Sequence, residues 1–526
     1  MASIRSYPVL SRRSTLASLP PESTIDAQAQ IARLLATTSP SRLVVLDDDP
    51  TGTQTCHDVA VLTVWDIDTL VHEFRQPSRG FFILTNSRAF PASEAEPLIR
   101  TICANVAEAA RRTDQSVDIV LRGDSTLRGH FPLEADVAQS VFGPAAAIIL
   151  APFFFQGGRF TIDDVHYVVD GEDALVPAGD TPFARDATFG FQSSNLRDYV
   201  MEKAGPGRFT PPEIHSITIE DIRLGGQEVV CEKILRIPEG HVVIVNAAAE
   251  SDMHVFVAGL LLAKSHSPSG TKQKQYLHRT AASFVSTRLA IPTLPPLTAT
   301  ALGLCPRTPT TDSNSNSNSN SPGAFILAGS YVPKTTAQLN CLTTRHGPNG
   351  TNSLAILTLD VPALLHSYTD PDLHTKTIAS LIHEAQTSLL AGKDTLVMTS
   401  RDLVTSPNTG GQQQQQQQQQ EQEEENPNLN LQIGSRVAGA MVEVLRGVVQ
   451  RVRPRYIIAK GGITSSDAAT KGLGIKRAMV VGQAAPGVPV WRCNEPTSRH
   501  AGIPFVVFPG NVGGEETLSD LVEAWS

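Results

Sequence analysis

Short apolar runs that stop abruptly at a turn of glycine, proline or acid recur along this chain, and they constrain its fold more than any other feature. The runs at residues 42–46, 59–64, 80–84, 117–121 and 146–150 are continuous rather than alternating, the pattern of strands covered on both faces. Between them, residues 93–112 carry an apolar stripe at helical spacing behind a serine that suits an N-cap. The pattern resumes at 324–328, 354–357, 395–398, 456–459, 477–481 and 505–508, with helices expected near 371–391, 433–451 and 514–525. Buried strands alternating with helices predict an α/β fold. The break in mid-chain predicts two lobes, each a mostly parallel sheet flanked by helices, with an active site in the interlobe cleft.

The break itself is compositional. From Asp312 to Ser321 the chain runs Asp and then alternating Ser and Asn, and a polyglutamine run at 412–420 continues into the acidic 421–425. Neither segment has apolar side chains to offset the entropy of ordering, so both are expected to be exposed loops. The domain reading is therefore an N-terminal extension at 1–40, a first domain at 41–291, a linker at 292–322 and a second domain at 323–526. The Gln/Glu-rich stretch 406–428 would be a disordered insertion in the second domain. The first 21 residues hold Arg5, Arg12 and Arg13, several serines and no acid. A disordered extension is expected there, with organellar import as the alternative to a cytoplasmic location.

Lys plus Arg total 43 against 52 Asp plus Glu, a net charge of −9. That excludes a surface built to grip nucleic acid, so any anion must be held in a local basic pocket. The six cysteines, at 56, 103, 231, 305, 341 and 493, form no C-x-x-C pair, which argues against a zinc ribbon or a disulfide framework. No apolar run approaches the length of a membrane span. Small molecules are the expected partners, without nucleic acid or membrane, and a homodimer is left open.

Three motifs sit where strands are expected to end. The first is Asp47-Asp48-Asp49-Pro50-Thr51-Gly52, directly after 42–46. Open α/β sheets bind ligands at the carboxyl ends of their strands, and three adjacent carboxylates suit sugar hydroxyls, Mg²⁺ or proton transfer better than mere helix capping. The second is Arg122-Gly123-Asp124-Ser125-Thr126-Leu127-Arg128-Gly129-His130. Two guanidinium groups around a carboxylate and two hydroxyls fit a small polyhydroxy acid, or equally a surface loop of weak ion pairs. The third is a set of glycine turns: Gly329-Ser330, Lys460-Gly461-Gly462-Ile463-Thr464-Ser465 and Pro509-Gly510-Asn511-Val512-Gly513-Gly514. Free backbone N–H groups at such turns can hold phosphate, although neither a P-loop nor a kinase-type glycine loop is present. His57, His130, His166 and His215 lack metal-ligand spacing, and no metal site is expected. Gly157-Gly158-Arg159 and Asp163-Asp164 are weaker candidates for the pocket lining.

Taken in order, Asp48-Asp49-Pro50-Thr51-Gly52, Arg122 to Gly129, Gly329-Ser330, Gly461 to Ser465, Ala485-Pro486-Gly487-Val488-Pro489 and Gly510 to Glu515 resemble the four-carbon acid sugar kinase family, from about residue 42 to the C-terminus. The resemblance implies ATP-dependent phosphorylation of a sugar acid such as 3-oxo-tetronate, threonate or erythronate. It implies that the first domain binds the acid and the second binds ATP with Mg²⁺. On that basis Asp48 and Asp49 are the catalytic candidates. Thr51, Arg122, Asp124, Ser125 and Arg128 face the acid, with Arg122 and Arg128 on its carboxylate. Ser330, Gly461, Gly462, Ile463, Thr464, Gly510, Asn511 and Gly513 face the nucleotide. The chain departs from bacterial members at Pro50 and Ile463. Two other readings are carried: a haloacid-dehalogenase-like phosphatase using Asp47 and Asp49 in a D-x-D-x-T arrangement, and a non-catalytic nucleotide-binding or regulatory protein of the same fold.

Overall fold

The computed structural model describes residues 5–37, 41–266, 274–304, 321–329, 332–351, 353–368, 370–400 and 427–526. The polyglutamine run, nearly all of the Ser/Asn tract and Ser330 lie outside the described residues. Contacts divide the chain into Met1–Leu294 and Pro295–Ser526.

The first unit is built on a parallel sheet. Its strands lie in the order Ile214–Ile217, Val242–Val245, Ala147–Ala151, Tyr276–Thr280, Val117–Arg122, Arg42–Asp47, Gly80–Leu84 and Val59–Leu62, and every neighbouring pair runs parallel. Most of these strands are buried along their whole length, which is why their sequences do not alternate. The register brings the strand ends into one row: Ala151 is level with Thr280, Thr280 with Arg122, Arg122 with Asp47, and Asp47 with Leu84. The turns that follow those strands must therefore emerge side by side.

A second, antiparallel sheet of Arg159–Ile162, Val165–Asp170, Ala174–Pro177 and Leu10–Ser11 belongs to the same unit. It corrects the expectation of a disordered N-terminal extension. Leu10 and Ser11 pair with Leu175 and Ala174, and Asp173 accepts from the Ser11 hydroxyl and the Arg13 amide. The helix Ala27–Thr37 buries Ala27, Ile31 and Leu35, one apolar contact per turn, and packs on Glu250–Ser265. The long separation in sequence between these partners hid the ordering.

In the second unit the parallel strands are Leu354–Leu359, Asp394–Thr399, Phe325–Ala328, Ile457–Lys460 and Pro504–Phe508, in that spatial order. Val488–Cys493 and Arg477–Ala485 extend the sheet antiparallel. Helices Pro333–His346, Pro371–Leu390, Pro427–Arg451 and Thr517–Ala524 accompany it. Lys460 is level with Ala328 on one side and with Phe508 on the other, so the three glycine turns again start from one row. Both units thus have the expected α/β class, with helices flanking a mostly parallel sheet. No described helix is long and apolar enough to cross a membrane.

Candidate active site

Three turns and one strand residue meet at the carboxyl ends of the central strands of the first unit. After Arg42–Asp47 the chain gives Asp48 and Asp49, and the Asp49 carboxylate accepts from the Thr51 amide at 2.8 Å, capping the short turn Pro50–Thr53. After Gly80–Leu84 comes Arg88, whose guanidinium lies 2.6 Å from Asp49, 3.6 Å from Asp124 and 4.0 Å from Asp48. After Val117–Arg122 comes the Asp124–Arg128 turn. Arg128 pairs with Asp124 at 2.7 Å and with Asp186 at 3.7 Å, and the Thr126 hydroxyl also donates to Asp124. From Tyr276–Thr280, Arg279 reaches Glu134 at 3.4 Å and the Arg128 carbonyl at 3.3 Å. Arg279 passes through the space a side chain at 123 would fill: a Cβ on Gly123 would lie 1.6 Å from its Nη1. Gly123 is required by close approach.

The adjacent acids have different electrostatics. Burial pushes Asp47 well above the ordinary carboxylate range, against the pull of Arg122. Burial also raises Asp48, to about 6, with Arg88 and Arg279 offsetting only part of the desolvation. Burial acts on Asp49 too, but Arg88 and the hydrogen bonds from Thr51 outweigh it and hold that carboxyl below its usual value. Asp124 is desolvated as well, yet Arg128, Arg88 and Thr126 keep it far below the usual range. Asp48 is therefore shifted toward its neutral form, whereas Asp49 and Asp124 are held in their charged forms.

The structure brings Asp48, Asp49, Asp124 and Arg128 together and gives the other predicted residues supporting positions. Arg122 is 3% exposed and turned to Asp47 at 3.6 Å and Gln54 at 3.1 Å. Ser125 is buried, and its carbonyl faces the His166 ring at 2.8 Å. Thr51 acts through its amide on Asp49. Sequence reasoning missed Arg88 and Arg279. The signal available was position alone: Arg88 follows the 80–84 run by four residues, and Arg279 sits in a strand whose His and Arg masked its apolar character. Asp47, the nucleophile of the phosphatase reading, is 1% exposed and pushed toward its protonated form. A carboxylate nucleophile needs the opposite on both counts.

The second unit presents backbone rather than charge. Gly461 has φ +111°, a conformation open to glycine and strained for other residues, and it turns the chain from Ile457–Lys460 into Gly462–Asp467. Thr464 packs beside Gly329, where a Cβ would come within 2.9 Å of its hydroxyl. The loop after Pro504–Phe508 is held by buried donors. Lys460 Nζ donates to the Pro509 carbonyl at 2.5 Å, Thr335 Oγ1 to that of Gly510 at 3.2 Å, and Gln338 Nε2 to those of Val512 and Gly514 at 3.1 and 2.8 Å. Burial, with Lys334 nearby, lowers Lys460 to about 7. These donors fix the path of the loop through its carbonyls, and the Gly514 amide is in turn held by Thr517 Oγ1 at 2.8 Å. Ile463 is 62% exposed beside it. Among the described residues no three His, Cys, Asp or Glu side chains are grouped to hold a metal ion.

Comparison with known proteins agrees with this division. Residues 43–288 match the model of a sugar-binding N-terminal domain, and residues 325–518 match that of a nucleotide-binding C-terminal domain. No curated protein matches the chain. Among solved structures, a Salmonella typhimurium LT2 protein provisionally described as a tRNA synthase is 13% identical, with a TM-score of 0.58 over 90% of this chain and 97% of its own. A Haemophilus influenzae protein of the DUF1537 family is 14% identical, with a TM-score of 0.52 over 92% of this chain and 100% of its own. At such identities the likeness is one of fold. The two domain models, in this order and over most of the sequence, make the chain a member of the four-carbon acid sugar kinase family.

Proposed function

We propose that this chain is an ATP-dependent kinase that phosphorylates a hydroxyl, the terminal one, of a four-carbon sugar acid such as 3-oxo-tetronate, threonate or erythronate. The observation that carries the reading is the pairing of two complementary sites. One domain has a partly buried cluster of acids and guanidinium groups suited to a polyhydroxy acid, and the other has glycine turns at the carboxyl ends of its strands, one of them held in place by buried side-chain donors to its carbonyls.

Phosphoryl transfer asks the protein for positioning and charge stabilisation more than for covalent chemistry. Asp48, with its carboxyl raised to about 6, is the group that takes the proton of the acceptor hydroxyl. Asp49, fixed by Arg88 and its own turn, orients that hydroxyl. Asp124 and Arg128 address the remaining polar groups of the acid. Gly461, Gly462, Ile463, Thr464, Gly510, Asn511 and Gly513, with Ser330, would hold the nucleotide. Mg²⁺ is proposed to arrive on the nucleotide's phosphates and to neutralise charge there.

The test is ADP release from Mg-ATP against a panel of threonate and erythronate enantiomers and 3-oxo-tetronates, with no-acceptor controls and mass spectrometry of the product. The expected result is release that depends on one acid, together with a phosphorylated acid. Phosphate release without an acceptor would overturn the proposal.

A further inference from the structure

Arg159 differs from the other guanidinium groups around the acid cluster. It opens the strand Arg159–Ile162 after Gly157-Gly158 and is 6% exposed. It shares the Phe183 ring with Arg128, the two guanidinium carbons lying 6.0 and 5.2 Å from the ring centre. Arg88, Arg122, Arg128 and Arg279 each face a carboxylate. Among the described residues no carboxylate is paired with Arg159: Nη1 donates to the Gly157 carbonyl, and Nε has no hydrogen-bond partner.

The charges that act on Arg159 are Asp124 and Arg128. Asp124 is already shared by Arg88, Arg128 and the Thr126 hydroxyl. Arg88 and Arg128 have further carboxylate partners in Asp49 and Asp186, whereas Arg159 is left as the buried guanidinium at this site with no carboxylate in contact among the described residues. Desolvation accordingly lowers Arg159 to about 10. A buried cation without a counter-charge is costly, and an anionic ligand is the natural group to supply one.

We propose that Arg159 is the carboxylate anchor of the acceptor site, its Nε–H edge receiving the carboxylate of the sugar acid. This rests on the sugar-acid kinase reading and deepens it by naming the residue that selects an acid over a neutral polyol. The fork of N–H donors on a guanidinium matches the two oxygens of a carboxylate. Arg128, already held by Asp124 and Asp186, is then a wall of the site, and Arg122 lies beneath it.

The experiment compares the wild-type chain with Arg159→Met, which keeps most of the stem, and Arg159→Lys, which keeps the charge but loses the fork. Binding of threonate and erythronate, and of the neutral threitol and erythritol, is measured by calorimetry and thermal shift, alongside KM for the acid and for ATP. Arg159→Met is expected to weaken acid binding by about 10- to 100-fold, as for loss of a hydrogen bond to a charged group. Polyol binding and the KM for ATP should stay unchanged. Arg159→Lys should fall between the two, and it carries the test if the Met variant does not fold. Unchanged acid binding in folded Arg159→Met, or an equal loss for acid and polyol, overturns the anchor. A wild-type chain that binds the acids without consuming ATP removes the kinase reading and leaves the anchor, whereas a wild-type chain that binds no sugar acid removes both.

Discussion

Asp48 and Asp49 are neighbours in sequence, but one is raised to about 6 by burial and the other is held low by Arg88 and Thr51. A base for a hydroxyl proton works best with a pKa near the working pH, which assigns the proton to Asp48. We expect Asp48→Asn to reduce kcat by ~10²-fold or more and to abolish an acid limb centred near pH 6 in the pH–rate profile. Its stability should move the other way. A carboxyl raised on folding binds a proton more tightly in the native state, so wild-type stability declines as pH rises from the ordinary carboxylate range through 6. Asp48→Asn should therefore melt higher than wild type at pH 8, with the difference vanishing near pH 4, which a pH series of melting curves would check. Asp124 has the opposite sign: its stabilisation is present at neutral pH and is lost as acid protonates it. The acids themselves were legible in the sequence because each follows an apolar run. Their division of roles was not, because it depends on Arg88 and Arg279, which arrive from other strands.

At the scale of elements, the nucleotide loop is shaped from behind by one helix and one strand end. Thr335 and Gln338 lie one turn apart on Pro333–His346, both fully buried, and their side chains hold the carbonyls of Gly510, Val512 and Gly514. Thr335→Val, which keeps the shape and removes the donor, should raise the KM for ATP several-fold while leaving that for the acid unchanged, and Thr335→Ser should restore it. Gln338→Met removes two donors and should cost about 1–3 kcal/mol of stability by stranding buried carbonyls, read from denaturant midpoints together with weaker ATP binding. The glycine turns were readable because glycine after a buried strand is an unusual signal. The polar side chains that hold them were not, since Thr335 and Gln338 sit in a helix of weak amphipathic pattern. The strands Ile214–Ile217 and Tyr276–Thr280 escaped for a similar reason: His215, His278 and Arg279 interrupt runs that are nonetheless buried, at both ends in the first strand and throughout the second. The antiparallel sheet was missed because its first strand, Leu10–Ser11, is two residues long and finds its partner far along the chain.

At the scale of the whole molecule, the two units each have their own hydrophobic core. A ligand that binds one native unit should stabilise that unit, by about 2.7 kcal/mol at a hundred times its Kd. Calorimetry of the full chain should accordingly show a transition that moves with the sugar acid and another that moves with ATP, and a single transition moved equally by either would contradict independent domains. The close approach of Arg279 to Gly123 adds a constraint on how this sequence can change. Gly123→Ala alone drives a methyl group into a guanidinium held by Glu134 and the Arg128 carbonyl, whereas Arg279→Ala removes the three atoms nearest to that methyl. The two substitutions should therefore be strongly epistatic: Gly123→Ala is damaging alone but costs far less once Arg279→Ala is present, so position 123 leaves glycine most easily along a route on which position 279 has shortened first.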